Sequence, residues 1–116
     1  MKILLIINDA PYGTEKAYNA LRVAMQAQKD HHDEVWIFLL ADAVACAVPG
    51  QSTADGFYNI ERMVKSVVSK GGKVKACGTC LNARGLQSVQ LIEGVERSSM
   101  AELANWLREA DRAVTF

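Results

Sequence analysis

The sequence predicts an α/β fold, a three-layer α/β/α sandwich around a parallel sheet, on three observations. Strand-like and helix-like patterns alternate along the chain. The first two strand segments are apolar on both faces, and the helical segments that separate the strands run to roughly a dozen residues. A strand buried on both faces needs cover above and below it. Parallel neighbours need long right-handed crossovers to connect them.

The first predicted strand, Ile3 to Ile7, ends at Asn8-Asp9-Ala10-Pro11. Thr14 is placed to cap a helix with the stripe Ala17, Leu21, Ala24 and Met25, running to about Asp30. Val35 to Leu40 is the second continuous apolar strand. Asn59 can cap the next helix, where Ile60, Met63, Val64, Val67 and Val68 share one face and Gly71-Gly72 stops the run. Lys73 to Ala76 alternates as a short strand. Ser99 followed by Glu102 reads as a capping box for a helix whose stripe is Met100, Leu103, Ala104 and Leu107. Ala113 to Phe116 closes the chain as a strand. The least regular stretches are Ala41 to Tyr58 and Leu81 to Ser98. No linker, repeat or low-complexity tract divides the chain, so one domain over residues 1–116 is expected.

Composition narrows the function classes. The 116 residues carry 13 Lys+Arg against 13 Asp+Glu, a formal net charge of zero. A nucleic-acid binder held by phosphate contacts needs a basic surplus, and an anionic membrane needs the same, so neither partner is expected. The five apolar residues after Lys2 are too few for a signal-peptide core of about seven to fifteen or a membrane span of about twenty. An odd count of three cysteines does not suit a secreted disulfide framework. A reducing cytoplasm with free thiols is therefore the expected setting.

Reactive groups in parallel sheets gather at the carboxyl ends of the strands. The segment after the first strand, Asn8 to Thr14, contains neither a dinucleotide nor a P-loop glycine fingerprint, and no cofactor is expected. The informative segment follows the third strand: Cys77-Gly78-Thr79-Cys80, then Arg84-Gly85. A thiol acts as a nucleophile when ionised, and a neighbouring cation lowers its pKa; Lys75 and Arg84 are the candidates close in sequence. C-x-x-C alone leaves redox, metal and sulfur-transfer chemistry open. A structural zinc site normally takes four ligands, and no second cysteine pair exists here, so no metal is expected. Cys46, within Leu39 to Val48, reads as a small packing residue in a segment that packs under the domain or against another subunit. His31-His32 reads as a solvated helix C-terminus, and Trp36 and Trp106 as packing.

In order along the chain, Ile3-Leu4-Leu5-Ile6-Ile7-Asn8-Asp9-Ala10-Pro11-Tyr12-Gly13, Phe57-Tyr58-Asn59-Ile60, Cys77-Gly78-Thr79-Cys80 with Arg84-Gly85, and Leu91-Ile92-Glu93-Gly94-Val95-Glu96 resemble the DsrE-like sulfur-relay family. That family is the DsrE/DsrF and TusD lineage, and the likeness is strongest to its small YchN-type homo-oligomeric members. The resemblance implies a five-stranded parallel sheet and assembly into homotrimers or homohexamers. It also implies a cytoplasmic sulfur carrier that takes sulfane sulfur as a persulfide on Cys77, which stands at the family's interval before Arg84-Gly85. Cys80 belongs to the YchN-like variant, where it would accept sulfur from Cys77 or resolve it into a disulfide. The donor and acceptor thiols are not named by the sequence. Rival readings are a small-molecule or metal-binding oligomeric module and a dithiol redox protein.

Overall fold

A computed structural model describes residues 1–116. Five strands form one sheet, β1 (Lys2–Ile7), β2 (Glu34–Leu39), β3 (Lys73–Cys77), β4 (Val95–Ser98) and β5 (Arg112–Thr115), in the order β4-β3-β2-β1-β5. Every neighbouring pair is parallel. The helices are α1 (Lys16–His31), α2 (Ile60–Ser69), α3 (Gly78–Ala83) and α4 (Met100–Glu109), with a 3-10 helix at Ala41–Ala47.

The path β1, β2, β3, β4 steps steadily outward, and the chain then returns to place β5 beside β1. With right-handed crossovers, that reversal puts α4 on the face opposite α1 and α2. Gln28 of α1 donates to the Val67 carbonyl of α2 at 3.0 Å, joining the two helices on their shared face. On the opposite face Trp106 of α4 stacks on Trp36 at 5.0 Å and meets Phe38 edge-on. Both tryptophans therefore pack, as their positions in a strand and a helix suggest.

Leu4, Leu5, Ile7, Val35, Trp36, Ile37, Phe38 and Leu39 are all buried, which is why the first two strands read as unbroken apolar runs. Asn59 caps α2 by accepting the Arg62 N–H at 3.1 Å. Ser99 caps α4 by accepting the Glu102 N–H at 3.3 Å. The capping box is only half made, because the Glu102 carboxylate goes instead to the Ser98 hydroxyl and to Lys75. The first helix starts one residue later than a Thr14 cap implies: Glu15 holds the cap position, while the Thr14 hydroxyl donates to Asp9 at 3.0 Å and still accepts the Lys16 N–H at 3.4 Å.

Two irregular stretches prove ordered. Residues 41–47 wind into the 3-10 helix, with Ala43, Val44, Cys46 and Ala47 fully buried. Of the two alternatives for Leu39 to Val48, packing under the domain is therefore the observed one. Residues 95–98 form β4, an edge strand of sequence Val-Glu-Arg-Ser with no apolar run to announce it. An edge strand with largely exposed side chains has no need of one. Gly94 leads into it at φ +92°, and a Cβ there would stand 2.5 Å from Val68 Cγ1.

Candidate functional site

Cys77 is both the last residue of β3, opposite Ser98 of β4, and the N-cap of α3. Its extended backbone (φ −60°, ψ 118°) lets Sγ accept the Cys80 N–H at 3.4 Å, the role a serine or aspartate oxygen plays at most helix starts. One helical turn then brings Cys80 back over Cys77, and the two residues approach to 3.0 Å. Both thiols are free. Cys80 Sγ in turn accepts the main-chain N–H of Ala41 at 3.2 Å. Ala41 opens the 3-10 helix after β2 with φ 50°, a left-handed conformation that is uncommon outside glycine. Gly85, at φ +72°, ends α3 and donates to the Asn82 carbonyl at 3.1 Å.

The two thiols differ in access. Cys77 is only 3 % exposed, whereas Cys80 is half-buried. Burial pushes the Cys77 thiol above its ordinary pKa, and its hydrogen bond to the Cys80 thiol pushes the same way; the Cys80 and Thr79 N–H groups oppose both. Cys77 thus holds its proton more tightly than a free cysteine does.

Both nearby cations, expected from sequence proximity to act on the thiols, are paired with carboxylates and make no bond to either sulfur. Lys75 Nζ lies 3.5 Å from Glu102 Oε1 and 4.6 Å from the Trp106 ring centroid. Arg84 places Nε and Nη2 each 2.9 Å from Asp42 Oδ1, while Nη1 donates to the Cys80 carbonyl at 3.1 Å. A carboxylate at contact distance outcompetes a thiol for a cation. Arg84 instead ties α3 to the 3-10 helix and keeps Cys80 against Ala41. Sequence proximity identified Arg84 but not its partner Asp42, which lies 42 residues away. Ala41 N–H was likewise invisible, because a main-chain donor carries no side-chain signature.

The remaining candidates lie apart from this pair. Cys46 is fully buried, and burial pushes its thiol up to about 12. His32 ends α1 in a left-handed conformation (φ 55°), with its N–H on the Ala27 carbonyl. No three His, Cys, Asp or Glu side chains are grouped as a metal ion requires. A separate cleft of about 380 Å³ is lined by Tyr12, Thr53, Ala54, Phe57 and Tyr58. It stands where Tyr12 accepts the Ile60 N–H at 3.1 Å and donates to Gln51 Oε1 at 2.7 Å. No helix is long and apolar enough to cross a membrane.

Comparison with known proteins gives a consistent result. The model of the DsrE/DsrF-like family matches residues 1–116. Protein YchN of Escherichia coli K12 is 38 % identical over 116 residues, covering 99 % of this chain and 98 % of that one. An uncharacterised protein of Methanopyrus kandleri is 42 % identical over 114 residues, covering 98 % and 93 % respectively. The crystal structure of the Escherichia coli YchN protein superposes with a TM-score of 0.94, covering 99 % of this chain and 98 % of that chain. A protein of unknown function from Methanobacterium thermoautotrophicum shares the fold at a TM-score of 0.75 and 15 % identity, with 99 % and 98 % covered.

Proposed function

This chain belongs to the DsrE/DsrF-like family, and on that footing we propose that it is a cytoplasmic sulfur carrier, taking sulfane sulfur as a cysteine persulfide and relaying it to an acceptor thiol. The observation that carries the reading is the approach of Cys77 and Cys80 to 3.0 Å at the carboxyl end of β3. A thiolate of the pair attacks the terminal sulfur of a donor persulfide, a new S–S bond forms on the protein, and the donor departs as a thiol. Cys77, at the position that matches the family's acceptor, holds the sulfur. Its low exposure suits a carrier, because a shielded persulfide is slow to meet adventitious thiols.

Incubated with a small persulfide donor and weighed intact without reductant, the wild type should gain whole sulfur atoms. The double variant Cys77→Ser/Cys80→Ser should gain none. An unmodified wild type would overturn the assignment. The same proximity favours a dithiol redox reading, which expects instead a Cys77–Cys80 disulfide that a reductant reverses with no loss of sulfur.

Self-association into trimers or hexamers forms part of the proposal. Met100 and Leu107 on α4 and Val114 on β5 are exposed apolar side chains, and the outer edge of β5 has no neighbouring strand. Surfaces of this kind are covered most simply by further copies of the chain.

A further inference from the structure

Resting on that persulfide reading, the geometry points to Cys80 as the entry thiol: donor sulfur lands first on Cys80 and passes from there to Cys77. Access is the first reason. A donor must bring its terminal sulfur to the attacking Sγ in line with its own S–S bond. Cys77, 3 % exposed, offers no such approach, whereas Cys80 is only partly buried. The second reason is the donor set around each sulfur. Cys80 Sγ receives the Ala41 N–H at 3.2 Å, a contact that fixes where this sulfur sits. Cys77 Sγ also receives an N–H, that of Cys80, but at 3.4 Å. Burial and the neighbouring thiol both favour its protonated form.

The backbone at Ala41 bears on the same contact. A non-glycine residue at φ 50° is held there against its steric preference, next to the N–H that meets the Cys80 sulfur. The Arg84–Asp42 pair clamps the two elements that form this contact.

The transfer balances without an oxidant. Cys80 thiolate attacks the outer sulfur of R–S–SH, the donor S–S bond breaks, and R–S⁻ leaves and takes a proton from water. Cys80 then carries –S–SH. Cys77 Sγ attacks that outer sulfur, its bond to Cys80 breaks, and the proton of Cys77 passes to the departing Cys80 sulfur. That sulfur returns to the Ala41 N–H. The moving atom keeps its oxidation state throughout.

Rapid-quench loading with glutathione persulfide, read by intact and peptide mass, tests the order. Cys77→Ser should still take up sulfur, now stranded on the Cys80 peptide, whereas Cys80→Ala should load about tenfold more slowly than the wild type or worse. Substoichiometric iodoacetamide on the wild type should label Cys80 before Cys77. Unchanged circular dichroism of each variant separates the result from misfolding, and the alkylation order on the wild type needs no variant at all. Cys80→Ala loading at the wild-type rate, or Cys77 labelled first, overturns the order. A wild type that gains no sulfur overturns the persulfide function itself and the order with it; a wild type that loads directly through Cys77 overturns the order alone.

Discussion

At Ala41 the backbone accepts a left-handed φ of 50° in order to start the 3-10 helix and direct an N–H at Cys80. That conformation costs a non-glycine residue about 1–2 kcal/mol, while glycine would lose about 0.5–1 kcal/mol through its greater freedom when unfolded. Ala41→Gly should therefore raise stability by about 0.5–1 kcal/mol in chemical denaturation. Cys46 is the opposite kind of residue, chemically silent because it is buried. With its thiol pushed up to about 12, it remains protonated at mildly alkaline pH. Iodoacetamide should leave it unmodified in the native protein and react with it once urea unfolds the chain. Cys46→Ser, which buries a hydroxyl in an apolar site, should cost about 1–3 kcal/mol.

At the scale of elements, the start of α2 organises the loop that precedes it. The Glu61 carboxylate accepts the Gly50 and Gln51 N–H groups at 2.8 and 2.9 Å and pairs with Lys65 at 2.8 Å. Lys65 first, then the two main-chain donors, hold its pKa below the ordinary 4.5, against the opposing pull of desolvation. A depressed carboxylate stabilises the fold fully above its unfolded pKa. The contribution is lost as pH falls below about 4.5 and through the folded value. Glu61→Gln should therefore flatten the acid limb of the stability profile. It should not abolish that limb, because Ser98 and Lys75 lower the Glu102 pKa in the same direction. Asn59→Ala removes the cap of the same helix and should cost about 1 kcal/mol at neutral pH.

For the molecule as a whole, the two faces of the sheet are covered unequally. α1 and α2 lie side by side on one face, while α4, of 10 residues, covers the other face of the five strands. β3 carries Lys73 and Lys75, which reach over Trp36 and Trp106 at 5.6 and 4.6 Å and extend the cover with their aliphatic stems. The α4 stripe divides in consequence. Leu103 and Trp106 are buried on the sheet, but Met100 and Leu107 point outward. If further copies cover them, light scattering should give a multiple of 12.7 kDa, and Leu107→Glu should shift the protein toward the monomer without loss of helix. A wild type that stays monomeric at all concentrations would remove this part of the proposal.

Elements whose local pattern and tertiary role agree can be read from the residues alone. The doubly apolar β1 and β2, the Asn59 and Ser99 caps and the cysteine pair at the end of β3 were all legible, because each signal lies within a few residues. Burial, propensity and capping act there over the same short span. The polar edge strand β4 and the buried 3-10 helix left no such signal in their residues; the count of five strands came from family resemblance. The wiring of the site, by contrast, follows from how distant segments pack. Lys75 and Arg84 are close to Cys77 in sequence, yet their charges pair with Glu102 and Asp42, which the fold brings to them from other elements. Packing also leaves Cys77 covered and Cys80 only partly so, and brings a main-chain N–H from residue 41 to Cys80. The physical reason is range: a pattern reports which residues prefer burial or a helix, whereas contacts between segments some 40 residues apart depend on chain crossings that only packing fixes.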